Sequence, residues 1–224
     1  MFIDKSMTRD VVTVSPDDEI ATAQTLMARH RIRHLPVVAE NDILVGIVTD
    51  RDIRSAMPSM VLSETEKDDE RKRLTASKVK DIMTRSPVTV SPAQTLQDAI
   101  LMMQKFKVGA FPVVDDEGRL KGIISIRDLM RAFVNVLGLE EPGALLGIVV
   151  ENKLGQMKAI VDAITEQGVS IGSILVARTW EEGKRAVFPY LLTSNVLKVR
   201  NRLSELGFTL IDPMEWSLDQ LPKK

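Results

Sequence analysis

Residues 7–57 recur as residues 83–133 with a constant offset of 76 and no gap, giving 19 identities in 51 pairs. Ordinary residue usage would give about three. A chain that repeats itself this way must build the same unit twice and then find a way to pair the copies. Met7-Thr8-Arg9 falls on Met83-Thr84-Arg85, Val12 to Pro16 on Val88 to Pro92, and Pro36-Val37-Val38 on Pro112-Val113-Val114. The copies end in GIVTDRDI (46–53) and GIISIRDL (122–129).

Each copy reads as β-α-β-β-α. Val12 to Val14 is a short β-branched run, and Ser15-Pro16-Asp17-Asp18 offers an N-cap, a proline for the first helical position and acids for the first turn. Ile20, Ala23, Leu26 and Met27 then follow at helical spacing to about His30. Leu35–Val38 and Leu44–Val48 read as strands around a polar turn, and a helix opens near Thr49. One copy of this length has a marginal core, so pairing the two buries what each leaves exposed.

The motif ends carry the candidate chemistry. Thr49 with Asp52, and Ser125 with Asp128, have the spacing of a capping box, which satisfies free N–H groups at a helix start. The same groups could meet a phosphate and a sugar. Taken singly, the pattern does not choose between cap and ligand site. Its recurrence where a strand ends, with glycine three residues earlier, favours the site. Arg51 and Arg127 occupy identical places inside the motifs and could balance a phosphate, though exposed helix arginines are commonly just solvated.

Composition narrows the partners. With 30 Lys+Arg against 31 Asp+Glu, the formal charge of −1 speaks against a nucleic-acid surface. The absence of cysteine removes disulfides, thiolate nucleophiles and thiolate metal sites. No apolar run approaches a bilayer span, and a cytoplasmic protein with no membrane association is the default expectation. His30 and His34 are the only histidines, with no third ligand in view, so no metal site is expected. No phosphate loop or catalytic histidine motif is present, and an enzyme is not expected.

The unit, with its h-Pro-Val-Val strand and Gly-h-h-[Ser/Thr]-x-x-Asp ending (h being apolar), resembles the CBS domain, and two in tandem resemble a Bateman module. That resemblance implies a regulatory ligand containing adenosine, such as AMP, ADP, ATP or S-adenosylmethionine, and no required cofactor. The hydroxyls of Thr49 and Ser125 would meet phosphate, and Asp52 and Asp128 the ribose. The residues before the strand proline would help form the adenine pocket: Arg33 and His34 in one copy, Gly109 and Ala110 in the other. Thr8, Val12, Thr84 and Val88 would join them. His34 could equally be an edge-of-core imidazole, and Val12 and Val88 simple packing. The inequality of Arg33-His34 and Gly109-Ala110 predicts two sites of different affinity.

The third segment reads as βαββαβ, with strands near 145–150, 173–178, 186–192 and 208–211 and helices near 156–167 and 195–206. This order suits a ferredoxin-like sandwich. It resembles the ACT domain through Asn152-Lys153-Leu154-Gly155-Gln156-Met157, with leucine where that family has proline. Asn152 and Gly155 could contribute to an amino-acid site, or serve only as a cap and a tight turn. The expected layout is an α+β chain: CBS repeat 1 over 1–60, a charged linker over 61–76, CBS repeat 2 over 77–136 and an ACT-like domain over 144–213. Both module types commonly self-associate, which implies a homodimer. The order CBS, CBS, ACT is similar to acetoin-utilisation AcuB-type proteins.

Overall fold

The computed structural model describes residues 1–56, 77–178 and 180–211, which divide into two compact units, Met1–Met130 and Arg131–Lys224. The charged linker expected over 61–76 lies outside the described residues.

In the first unit the two copies superpose element on element. Helix α1 is Ile20–His30, strand β1 His34–Val38, β2 Leu44–Thr49 and α2 Asp50–Ala56. After the short α3 (Val79–Ile82) and β3 (Thr84–Arg85), the second copy gives α4 Leu96–Phe106, β4 Ala110–Val114, β5 Leu120–Ser125 and α5 Ile126–Leu137. Helices α1 and α4 thus start and end 76 residues apart, as do the strands. Both hairpins are antiparallel, with a register break at the same place, Val37/Val38 and Val113/Val114.

The Ser15-Pro16 start expected for α1 is not where the helix begins. Ser15 N–H donates to the Asp18 carboxylate at 2.7 Å, which closes a turn ahead of the helix, and α1 opens only at Ile20. That turn serves the other copy, because the carbonyls of Pro16 and Asp18 accept from Lys80 and Val79 N–H at 2.9 Å each.

This is half of a reciprocal exchange. The segment leading into copy 2 completes copy 1: β3 pairs with β2 (Ile47 opposite Thr84), and Val79 lies in the copy 1 core with Val14, Ile20 and Leu35. The segment leading into copy 1 completes copy 2 at the matching positions. Ile3 N–H donates to Gln94 at 2.8 Å, Asp4 N–H to Pro92 at 3.1 Å, and Thr8 and Ile123 exchange both backbone bonds at 2.9 Å. Each leader then returns to its own copy, where Val14 bridges Val37 and Val90 bridges Val113. Ile43 opposite Arg119 marks the pseudo-two-fold relation, since these positions are themselves 76 apart.

The motif glycines follow from this exchange. A Cβ on Gly46 would stand 2.6 Å from Met83 Sδ, and one on Gly122 2.6 Å from Met7 Sδ and 2.9 Å from the Thr8 carbonyl oxygen. At Gly46 the neighbour is a flexible methionine, whereas at Gly122 the leader's own backbone oxygen leaves no room for a side chain.

In the second unit, β6 (Ala144–Leu145) and β7 (Gly147–Glu151) run along one side of β9 (Lys184–Leu191). Strand β8 (Ile171–Ala177) lies on the other side of β9, and β10 (Thr209–Ile211) flanks β7. All pairings are antiparallel, so the four-stranded order is β10, β7, β9, β8, the order of a ferredoxin-like sheet. Helices α6 (Gln156–Thr165) and α7 (Leu197–Glu205) supply Ile160, Ile164, Val199 and Leu203 to a core with Ile148, Val187 and Leu191. Gly168 and Gly207, at φ 70° and 83°, follow the two helices in the left-handed conformation expected of them. The unit boundary falls at Met130, inside α5. Residues 137–143 belong to the second unit, tied by Ser173 Oγ to the Leu137 carbonyl (2.9 Å) and by the Tyr190 hydroxyl to that of Glu141 (2.6 Å).

Replacing Gly122 with alanine should destabilise the first unit by about 1–3 kcal/mol, the usual cost of overpacking a filled site. Chemical denaturation measures it. An unchanged midpoint would show that the leader does not press on this glycine in solution.

Candidate functional site

Both motif boxes form. Thr49 N–H and Oγ donate to Asp52 Oδ2 at 2.8 and 2.7 Å, and Asp52 N–H donates back to Thr49 Oγ at 3.3 Å. Ser125 and Asp128 repeat this at 2.9, 2.6 and 3.3 Å. The same geometry also closes Thr95 and Asp98 at the ordinary start of α4, at 2.9, 2.7 and 3.2 Å. The bonds themselves are therefore a helix-start device. What separates the motif boxes is their setting, each at the end of the inner strand of its hairpin, with the hydroxyl and carboxyl partly or fully buried.

The two settings differ in depth. Asp52 is half-buried, whereas Asp128 is buried at 6% exposure. Both bonds to Asp52 fall on Oδ2, so Oδ1 stands outside the box.

The leader exchange decides which candidates can share a cleft. Thr8 lies opposite Ile123, two residues before Ser125, and Thr84 lies opposite Ile47, two residues before Thr49. Each threonine therefore stands beside the motif of the other copy, and both are exposed. Val12, further along, packs against the copy 1 core, while Val88 is 38% exposed. Arg33, Arg51 and Arg127 are exposed, and Ala110 is buried at 5% exposure.

His34 is held opposite Thr49 in the β1–β2 ladder, so their side chains share a face, and Ala110 stands opposite Ser125 in the same way. The His34 ring also reaches the other copy. A Cβ on Gly109 would come within 3.3 Å of its Cε1 and Nε2. Burial pushes the imidazole below its ordinary value. The Asp50 carboxylate pulls it up, Arg33 presses it further down, and Asp52 pulls it up again. Asp50 was not among the residues singled out from the sequence. The signal lay in the repeat, which breaks there to Ile126.

In the second unit, Asn152 is exposed and its N–H donates to the Gly183 carbonyl at 2.9 Å. Gly155 sits at φ 89° ahead of α6, a conformation that favours glycine, with open space around it. Among the described residues, no group of three or more His, Cys, Asp or Glu could hold a metal ion.

Two α-β-β-α units, each entered through a single bridging valine (Val14 or Val90) where a short first strand was expected, close each other's sheets and end their inner strands in a hydroxyl-Asp box, which defines a tandem-repeat module. The family follows directly: the CBS domain model matches residues 3–59 and 79–135, and the chain belongs to the CBS-domain family. An inosine-5'-monophosphate dehydrogenase from Korarchaeum cryptofilum is 40% identical over 121 residues, 54% of this chain but only 22% of that protein. The chain thus spans under a quarter of that relative's length. Among solved structures, CBSX2 in complex with AMP is 28% identical, covering 60% of this chain and 97% of that one, at a TM-score of 0.51. The CBS pair of MJ0100, in complex with 5'-methylthioadenosine and S-adenosyl-L-methionine, is 27% identical over 60% of this chain and 97% of that one, at 0.50. A Vibrio cholerae protein assigned to acetoin utilization (AcuB) is 29% identical over 63% of this chain and 98% of that one, at 0.53.

The depressed His34 value makes a signed prediction. The unfolded chain protonates this histidine first as pH falls, so the stability tied to the neutral ring is present above its ordinary value near 6.5 and is lost below it. Melting temperature should drop between about pH 7.5 and 5.5, and His34→Asn should flatten that slope. An identical slope in the variant would mean that His34 is not buried as described.

Proposed function

We propose that the chain is a regulatory sensor whose CBS pair binds an adenosine-containing ligand, AMP, ADP, ATP or S-adenosylmethionine, with no catalytic step of its own. The observation that carries this reading is the pair of boxes ending the inner strands of a leader-exchanged CBS pair, in a chain similar to proteins solved with AMP and with S-adenosyl-L-methionine. Thr49 and Ser125 would offer hydroxyls to the phosphate side, and Asp52 and Asp128 carboxyl oxygens to the ribose. Arg51 and Arg127 would supply positive charge, and Arg33, His34, Thr8, Val12, Thr84, Val88 and Ala110 would flank the base. Direct repulsion keeps the carboxylates away from the phosphate and suits them to sugar hydroxyls.

The dehydrogenase activity is that of a relative matched here over only 22% of its length. The ferredoxin-like unit over 144–213 would act as an ACT-like module, for self-association or for an amino acid at Asn152 and Gly155. A homodimer without nucleic-acid or membrane partners, working in the cytoplasm, completes the proposal. No helix among the described residues is long and apolar enough to cross a membrane.

Calorimetry with AMP, ADP, ATP and S-adenosylmethionine tests the reading. Saturable binding should weaken at least tenfold in Asp52→Ala or Asp128→Ala, since a hydrogen bond to a charged group contributes about 1.5–3 kcal/mol. Asp98→Ala deletes the same geometry at an ordinary helix start. It should lower the melting temperature slightly and leave binding intact. If no adenosyl ligand binds the wild type, a structural adaptor replaces the sensor.

A further inference from the structure

One end of the second unit holds a cation with nothing to neutralise it. Arg185 lies opposite Val150 in the β7–β9 ladder and two residues before Val187, so its side chain stands on the helix-covered face of the sheet. Its Nε is closed to solvent and has no hydrogen-bond acceptor. A guanidinium proton taken out of water without a partner carries its full desolvation penalty, and native folds leave few such groups. Among the described residues no acid is paired with it. Glu151 is held by Lys153 and Glu181 by Lys184, in the segments on either side, and Glu182 is exposed in the turn between. Arg178 adds a second, exposed guanidinium: it follows Ala177, which pairs with Ala186, and so falls beside Arg185 just past the end of β8.

Two further features meet at this end. The Asn152 N–H bond to the Gly183 carbonyl, at 2.9 Å, ties the loop before α6 to the turn before β9 and brings the start of α6 over the Val150–Arg185 pair. That start is bare, because Gly155 at the N-cap offers no side chain and the first N–H groups of this ten-residue helix have no partner within it. The core layer is also open here. Met157 lies on the stripe of Ile160 and Ile164, and Val176 pairs with the buried Val187, yet the two are 37% and 38% exposed. Both occupy core-facing positions that nothing closes over. A recess with apolar walls, a cationic floor and free N–H groups suits an anion carried on a short apolar body.

We infer that the second unit binds a small ionised carboxylic acid between α6 and β8. Its carboxylate would lie on Arg185 and the first N–H groups of α6, and its body against Met157 and Val176. An ammonium beside that carboxylate would meet two guanidiniums and the positive end of a helix. The ligand class is therefore a carboxylate without an amino group, which sets this site apart from the amino-acid reading of Asn152 and Gly155 and from the adenosine reading of the first unit.

Calorimetry on the full chain with isocaproate, leucine and isocaproamide tests this, since the three share one apolar body and differ at the polar end. Isocaproate should bind one per chain. Isocaproamide should bind about tenfold or more weakly, as loss of a bond to a charged group predicts, and leucine should fall short by a similar factor. Arg185→Met should abolish the isocaproate heat and, by removing an unpaired buried guanidinium, raise the melting temperature of the unliganded chain. Absence of isocaproate binding in the wild type, or leucine or isocaproamide binding as well as isocaproate, would overturn the assignment. So would an Arg185→Met chain that melts lower than wild type or still binds isocaproate. None of these outcomes bears on the adenosine reading.

Discussion

Each CBS copy borrows the segment that precedes the other, and the rest of the first unit depends on this exchange. A single copy would present the free edge of β2 or β5, a ready template for wrong pairing, and a core too small to hold by itself. The borrowed strand pairs with that edge, and a borrowed Val79 or Ile3, both fully buried, fills the space beneath. Because each leader starts on one hairpin and finishes on the other, neither copy can move without pulling on the segment that closes its neighbour. The two motif ends are fixed with respect to each other by backbone bonds, a firmer tie than side-chain packing between two finished domains would give.

Much of this architecture was visible in the offset of 76. The hairpins, the helices α1 and α4 and both boxes lie where the repeat and the 3.6-residue spacing put them, because these features depend on local pattern. The exchange was not visible. Pairing Thr8 with Ile123 uses main-chain groups, which carry no residue signature. Its trace was nonetheless present: Met7 and Met83 recur with Gly46 and Gly122, and the structure sets each sulfur 2.6 Å from where a Cβ on the glycine would stand. The misplaced start of α1 has the same origin. A serine-proline-acid stretch satisfies cap rules, but its carbonyls are committed to Val79 and Lys80, so the helix begins a turn later.

The third segment was legible for a different reason. Its helices are ended by glycines at positive φ and its strands by polar turns, which together dictate the βαββαβ order, and right-handed crossovers leave few ways to arrange it. The residues near Asn152 are less informative, because a turn and a binding loop ask the same thing of glycine: a backbone free to adopt φ near 89°.

Under the proposed function, cap and site would coincide in the motif boxes, which would give binding a route into the fold. A threonine hydroxyl has one proton, and that of Thr49 is already donated to Asp52 Oδ2 at 2.7 Å. A phosphate oxygen that accepted this proton would break the bond and leave Asp52 to hold the Thr49 N–H alone. A ribose drawing on Oδ1 would pull the same carboxylate from its other side. The first turn of α2 would respond, and with it β2, whose far edge is held by the leader of the other copy. A ligand shifts such a pair only through interactions that differ between its arrangements. The shared proton is one such difference, since it cannot serve the cap and the ligand at once.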